Sequence, residues 1–156
     1  MSNIPLMTVD TSWVGAAMGQ SVPWVREVGI AFGETTAQRC VAHLPDAPER
    51  HNHVGGPHAA MIFGLGETAS GAVGLAAFGA AMERATPLVV SSEISYLRLA
   101  KGPLTATAVL DRDPAEVLAE LDAGARPEFR VAVSITDGQD RETTRMSVLW
   151  TLRPNR

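Results

Sequence analysis

A long apolar run in the middle of the chain constrains the fold most strongly. Between residues 59 and 82 the only ionisable side chain is Glu67. The run is long enough to cross a membrane, but it is rich in Ala and Gly and carries Glu67 together with Thr68 and Ser70, which disfavours a membrane span. A helix that is apolar on most sides must be covered by other parts of the protein. The run therefore predicts a long central helix buried against a sheet.

Composition limits the classes of protein that remain. The chain has 156 residues, of which 46% are hydrophobic, so we expect a single domain over residues 1–156. A net charge of -4 with scattered Arg and Lys argues against nucleic acid as a partner. The lone Cys40 and an N-terminus without a basic and apolar leader are typical of a cytoplasmic protein.

Alternating apolar residues predict three pairs of antiparallel strands around the central helix. Phe129, Val131 and Val133, for example, alternate with polar residues before a turn, as in a strand with one buried face. Together these signals predict an α+β fold, with a curled antiparallel sheet of about six strands around one long helix. The predicted elements are a short helix at residues 11–19, strands at 24–32 and 38–44, the central helix at 59–82, strands at 89–99 and 104–110, a helix at about 114–121, and strands at 129–135 and 146–152.

The residues around the start of the central helix carry a resemblance to a known family. Asn52, His58, Ala59 and Glu67, followed by ISYLRLAKG at residues 94–102, resemble the hotdog-fold acyl-CoA thioesterases of the PaaI-like type. The most similar subgroup has an Ala-rich "HAA" helix start and is uncharacterised. The resemblance covers nearly the whole chain. It implies a hotdog fold, an acyl-CoA substrate, and a homodimer that can pair into a homotetramer.

The resemblance also implies roles for individual residues. Glu67 stands where the family has the carboxylate that acts as nucleophile or general base. Asn52 and His58 stand at the family's Asn and His positions, and Ala59 stands at the Gly whose backbone N–H polarises the thioester carbonyl. The family's second Gly is Ala60 here. A backbone N–H donor survives the change from Gly to Ala, while the added methyl group lies where it would crowd the acyl chain.

The chain departs from the family on the strand after the helix. Some members hold the attacking water there with a Ser or Thr, but the corresponding position in this sequence is Ala85 or Val89. Ser91 and Ser92 are the nearest hydroxyls. The missing hydroxyl favours an alternative in which the protein binds acyl groups without hydrolysing them.

The same residue types suit thioester hydrolysis on chemical grounds. The reaction builds negative charge on a carbonyl oxygen, and the first turn of a helix offers free N–H groups at its positive dipole end. We expect Ala59 to donate there. Burial of Glu67 should raise its pKa and make it a better base. The alternative for Glu67 is a structural role, as a hydrogen-bonding partner of nearby backbone or of His58 from a second chain.

Helix geometry adds a constraint on where these groups can meet. Ala59 and Glu67 are eight residues apart, which separates them by about 12 Å along one helix. They cannot grip the same carbonyl group. A site that uses both needs Ala59 from one chain and Glu67 from another, with two central helices antiparallel across a two-fold axis. We therefore expect at least a homodimer, with the possibility of a dimer of dimers left open.

Three function classes remain in play from the sequence. The first is an acyl-CoA thioesterase, with Arg98, Lys101 and Arg112 as candidates to bind the charged end of CoA. The second is a hotdog dehydratase or hydratase, in which His53 would pair with an acid across the dimer. The third is a non-catalytic acyl-binding protein. We expect no cofactor apart from the CoA of the substrate.

A metal site is not expected from the histidines that precede the helix. His51, His53 and His58 lie close in sequence, but the loop gives no regular ligand spacing. Gly55 and Gly56 lack the following Lys-Ser or Lys-Thr of a phosphate loop. We therefore predict that this segment shapes the turn at the start of the central helix and is not a metal or phosphate site.

Overall fold

A computed structural model describes residues 10–156 of the chain. Its α-helices are α1 (Val14–Ser21), α2 (Pro23–Val28), α3 (Ala59–Phe78) and α4 (Pro114–Asp122). Its strands are β1 (Ala31–Thr35), β2 (Arg39–Leu44), β3 (Ala85–Tyr96), β4 (Leu104–Leu110), β5 (Glu128–Thr136) and β6 (Glu142–Pro154). Short 3-10 turns lie at Pro48–Arg50 and Gly79–Ala81.

The strands form one antiparallel sheet of six strands in the order β1-β2-β4-β5-β6-β3. The inner face of this sheet packs on α3, which contacts β2, β4 and β5 most extensively. Burial along β5 alternates strictly, and Phe129, Val131 and Val133 are buried while the residues between them are exposed. One buried and one exposed face is the usual arrangement of an antiparallel sheet. The expectation of a curled sheet of about six strands around one long central helix is confirmed.

The central helix is a core helix despite its membrane-like composition. By its length and apolar composition, the segment Ala59–Ala81 could span a membrane. However, 56% of its most apolar stretch of 18 residues is buried within the protein. Gly64 and Gly66 allow neighbours to approach closely. A Cβ on Gly64 would clash with the ring of Trp24, and a Cβ on Gly66 would lie 2.6 Å from Sδ of Met146. Tight packing therefore explains these two glycines.

The strand predicted at residues 24–32 is wrong over its first half. Residues 23–28 form helix α2, because Pro23 occupies a position at its start where no N–H is needed. Gly29 ends the helix in the left-handed conformation, with φ of 75°, and donates to carbonyls of the preceding turn. Strand β1 begins only at Ala31. These local signals outweighed the apolar alternation that had favoured a strand.

Strand β3 is longer at its start than predicted and lies at the edge of the sheet. It begins at Ala85 instead of residue 89 and includes Pro87. Proline is tolerated there because β3 pairs with β6 on one side only. A bulge interrupts the pairing between Val89 and Ser91, and the strand ends at Tyr96.

Candidate functional site

The start of α3 presents one backbone donor without an acceptor. His58 caps the helix, and its Nδ1 accepts a hydrogen bond of 2.9 Å from the Ala60 N–H. The His58 carbonyl accepts from the N–H groups of Met61 and Ile62. Within residues 10–156, the N–H of Ala59 has no hydrogen-bond partner. It is therefore free to bind an oxygen atom at the positive end of the helix dipole.

The loop before the helix is held in shape by the side chain of Asn52. Its Oδ1 accepts from the N–H groups of Val54 at 3.0 Å and Gly56 at 3.2 Å, and its Nδ2 donates to the Pro57 carbonyl at 3.4 Å. The Asn52 backbone N–H also donates to the Gly56 carbonyl at 2.7 Å. Both polar atoms of the amide are thus engaged with the loop. Asn52 fixes the path of the chain into the helix.

Two glycines let this loop turn and approach its neighbour. Gly55 adopts the left-handed conformation with φ of 76°, which favours glycine. A Cβ on Gly56 would lie 2.6 Å from the Ala100 carbonyl oxygen. The loop therefore packs directly on the segment at residues 97–102, and this contact forms one wall of a cavity.

We call this space the helix-start cavity. It has a volume of about 420 Å³ and combines apolar walls with the polar groups of Asn52 and two cations. It brings together four of the predicted site residues, Asn52, Ala59, Arg98 and Lys101. The other lining residues are Val54, Gly55, Gly56, Pro57, Ile62, Tyr96, Leu99, Ala100 and Gly102.

Asp137 anchors the wall that carries the cations. Its Oδ2 accepts from the Lys101 backbone N–H at 3.0 Å and from Nη2 of Arg141 at 2.6 Å. Burial of this carboxylate opposes ionisation, but the bonds from Arg141 and from the N–H groups of Gln139 and Lys101 outweigh it and hold the pKa of Asp137 below its ordinary value. In the sequence, Asp137 gives only a turn signal. Its role depends on a contact between residues 36 positions apart.

Glu67 opens into a different space, which we call the mid-helix cavity. This cavity has a volume of about 470 Å³ and its walls are mostly apolar. Within residues 10–156, the carboxylate of Glu67 has neither a hydrogen bond nor an ion pair. Burial raises the pKa of Glu67. The remaining lining residues are Met18, Ser21, Val22, Thr68, Gly71, Gly74, Leu75, Met82, Pro87, Phe129, Trp150 and Leu152.

Sequence reasoning missed the residues that shape the mid-helix cavity. Trp150 donates from Nε1 to Oγ of Ser70 at 2.9 Å, and that hydroxyl donates to the Glu67 carbonyl at 2.7 Å. These bonds fix the indole as a wall beside Glu67. Thr68, also in the lining, is only 2% exposed. The Trp150–Ser70 contact joins residues 80 positions apart, so no local pattern predicts it.

The remaining predicted site residues lie elsewhere. Arg112 lines neither cavity; its guanidinium bonds to Glu120 and donates to the Glu128 carbonyl at 2.7 Å. His51 bonds through Nε2 to Asp46 at 2.7 Å, while His53 is exposed. In residues 10–156 no three His, Cys, Asp or Glu side chains are grouped as metal ligands are.

The strand position of the missing hydroxyl does not face either cavity. Ala85 is buried in the core and Val89 is exposed on the edge strand. Ser91 is exposed, and Oγ of Ser92 is buried without a partner within the described residues. None of these four residues lines the helix-start or mid-helix cavity.

Several solved structures have the same architecture. PA5026 from Pseudomonas aeruginosa, described as a protein of unknown function and probable thioesterase, is 24% identical with a TM-score of 0.81, covering 97% of this chain and 100% of that chain. A variant of thioesterase PA1618 from the same organism is 14% identical with a TM-score of 0.75, covering 96% and 98%. A thioesterase family protein from Silicibacter pomeroyi is 15% identical with a TM-score of 0.74, covering 94% and 100%. At these identities the matches show the fold, which is the hotdog fold.

Sequence comparison assigns the family. No curated protein matches the chain. The family model described as "Domain of unknown function (DUF4442)" matches residues 11–152, which is most of the chain and includes both cavities. The chain therefore belongs to the DUF4442 family.

Proposed function

We propose that this protein is a cytoplasmic acyl-CoA thioesterase that hydrolyses its substrate at sites shared between two chains of a homodimer. One observation carries the proposal. Ala59, with an unbonded backbone N–H, and Glu67, with an unpaired carboxylate, line two separate cavities on one helix, about 12 Å apart along its axis. Each cavity has one of the two groups that thioester hydrolysis needs. A second chain across a two-fold axis would supply the other.

The proposed reaction uses Ala59 as the oxyanion donor and Glu67 as the base. The Ala59 N–H binds the thioester carbonyl oxygen, where negative charge develops in the transition state. Glu67 takes a proton from water, and the resulting hydroxide attacks the carbonyl carbon. The C–S bond then breaks, and the departing CoA sulfur takes up the proton that Glu67 held. Direct attack by the Glu67 carboxylate is the alternative form of the same step.

Asn52 and His58 act as positioning residues in this proposal. The side-chain amide of Asn52 shapes the loop by accepting two hydrogen bonds and donating one. His58 accepts hydrogen bonds from the N–H groups of Ala60, Met61 and Ile62. In the first turn, only the N–H of Ala59 is therefore left to bind substrate. A raised pKa makes Glu67 a stronger base than an exposed glutamate.

Arg98 and Lys101 lie at the edge of the helix-start cavity, where they would attract the phosphates of CoA. Arg–phosphate and Lys–phosphate pairs are common in such sites. The structural relatives described as thioesterases support the reaction type. Arg112 has no part in the proposal, because it is bound to Glu120.

The edge strand β3 supports association with a second chain. It has 12 residues and pairs on one side only, and Val89, Val90 and Tyr96 are 42–51% exposed. An edge strand left open can pair with another chain, and a second chain would also cover these exposed apolar side chains. A dimer through this face would cover it, and further pairing into a tetramer is compatible with the fold.

A non-catalytic acyl-binding protein is the second candidate. The observation in its favour is that neither Ala85 nor Val89 supplies a hydroxyl to the cavities. The dehydratase alternative lacks such support, because His53 lines neither cavity.

The test is incubation of the purified protein with a panel of acyl-CoAs and a reagent that detects free thiols. We expect release of CoA from at least one substrate. Tight binding without CoA release supports the acyl-binding alternative. A product with an altered acyl chain and an intact thioester contradicts hydrolysis.

A further inference from the structure

The glycines of helix α3 fall into two groups that differ in what surrounds them. Glycine lowers helix stability relative to alanine, so each one needs a reason. Gly64 and Gly66 have such a reason, because a Cβ at either of them would lie closer than 3.0 Å to Trp24 or Met146. At these two positions alanine does not fit without movement.

Gly71 and Gly74 lack that reason. A Cβ on Gly71 would lie 3.4 Å from Cζ2 of Trp150, and a Cβ on Gly74 would lie 3.5 Å from Cζ of Phe129. Both distances are ordinary van der Waals contacts, so alanine fits at either position. Both glycines nevertheless line the mid-helix cavity together with Glu67. The absence of side chains there keeps the cavity open instead of allowing closer packing.

The mid-helix cavity has a polar end and an apolar end. Glu67 and Thr68 stand at one end, and Thr68 is only 2% exposed. One turn and two turns further along α3 the lining is Gly71, Gly74 and Leu75, which face the aromatic walls. A ligand with a polar group beside Glu67 and an apolar chain directed toward Leu75 matches this gradient.

We propose that Gly71 and Gly74 determine acyl-chain specificity by keeping open a tunnel for a medium-length apolar acyl chain; this rests on the proposed thioesterase function. From Glu67 to Leu75 the helix rises about 12 Å. An extended chain advances about 1.2 Å per bond, so about ten carbons span that distance. The cavity volume of about 470 Å³ lies in the range of roughly 300–1,000 Å³ usual for small-molecule sites. Trp150 and Phe129 form the side walls.

The test adds methyl groups inside the tunnel. Gly71→Ala and Gly74→Ala are made singly and together, with Gly19→Ala in α1 as the control, because a Cβ on Gly19 meets nothing within 4 Å and that residue lines neither cavity. The substrates are decanoyl-CoA and butanoyl-CoA. We expect kcat/KM for decanoyl-CoA to fall by roughly tenfold or more in the double variant, with butanoyl-CoA unchanged. The control should match the wild type on both.

A second readout separates this proposal from the hydrolysis itself. Binding of the thioethers S-decyl-CoA and S-butyl-CoA is measured by calorimetry, and the thermal midpoint of each variant shows that it is folded. Selective loss of S-decyl-CoA affinity in the double variant supports the tunnel even if no acyl-CoA is hydrolysed. Equal changes for the long and short ligands, no change in either, or no binding of S-decyl-CoA to the wild type overturns the assignment.

Discussion

Helix α3 opens onto one cavity at its start and another in its middle, and the two regions differ in the polar group that each leaves without a hydrogen bond. At its start, a backbone N–H is presented by a loop in which the side chains of Asn52 and His58 are both hydrogen-bonded to the backbone. In its middle, a single carboxylate stands among apolar walls without a bonded partner within residues 10–156. The first region offers a free N–H donor, and the second offers an unpaired carboxylate. Each lacks the group that the other has, and for this reason we propose that a second chain completes each site.

The largest effect is expected from removing the base. Glu67→Gln keeps the size of the side chain but cannot accept a proton from water, so kcat should fall by roughly 10²–10⁴ on a good acyl-CoA. Steady-state kinetics on purified protein measure this. Glu83→Gln is the matched control, because it removes the same charge from an exposed position. Near-normal turnover by folded Glu67→Gln protein would remove Glu67 from the mechanism.

A smaller loss of kcat is expected from a change in the loop at the start of α3. Asn52→Ala removes the hydrogen bonds that the amide makes within the loop, and displacement of the Ala59 N–H should lower kcat by about 10², as loss of an oxyanion donor does. Asn155→Ala serves as control, because the Asn155 side chain also makes hydrogen bonds, with Thr86 and the Glu83 carbonyl, but lines neither cavity. Equal kcat for Asn52→Ala and the wild type would show that the loop needs no such support.

The cations of the helix-start cavity should affect binding more than turnover. Arg98→Ala and Lys101→Ala should each raise KM for acyl-CoA by roughly fivefold, because one exposed charge pair contributes up to about 1 kcal/mol. The effect should shrink as salt is added. Arg112→Ala removes a cation that lines neither cavity, and it should leave KM unchanged. A rise in KM of the same size for Arg112→Ala would contradict this assignment of the cations.

The smallest effect concerns stability and pH. The pKa of Glu67 is raised in the folded protein, so folding favours its protonated form. Its contribution to stability is therefore present below the ordinary pKa of glutamate and is lost as pH rises through the folded pKa. Glu67→Gln should be more stable than the wild type at pH 7 and equal to it at pH 4 or below. Each increase of about 1 kcal/mol in the free energy of unfolding raises Tm by roughly 2–4 °C in a chain of this size. Thermal unfolding across this pH range measures it, and a Tm difference that grows toward acid would contradict the sign.

Much of the fold could be predicted because its signals are local. The apolar run with one carboxylate predicted α3, and strict alternation predicted β5. The prediction failed at α2, whose six residues, Pro23–Val28, are too few to show a helical period against an apolar alternation. Proline and glycine at its two ends were the signals that would have corrected it.

A residue of the candidate site could be predicted only where its chemical type and its position in the sequence both indicate its role. Ala59 follows from its place at a helix start, and Glu67 follows from its isolation. Asp137 and Trp150 could not be predicted, because each acts through a contact with a residue far away in the sequence. Gly71 and Gly74 look like the other glycines of α3 until the distances to their neighbours are known.

The most direct test of shared sites is complementation between two inactive variants. Asn52→Ala and Glu67→Gln homodimers each carry two damaged sites. In a mixed dimer both changes fall in one site, and the other site keeps Asn52 and Glu67 intact. After exchange of subunits in equal amounts, random pairing gives about half heterodimers, and about a quarter of wild-type activity should return.

CoA release is measured before and after exchange, and native mass spectrometry counts the heterodimers, near 33 kDa for two chains of 16.5 kDa. Activity that rises in proportion to the heterodimer fraction is the result that shared sites predict. Heterodimers that form while activity stays at the level of the separate variants would show that Asn52 and Glu67 do not combine across the two-fold axis.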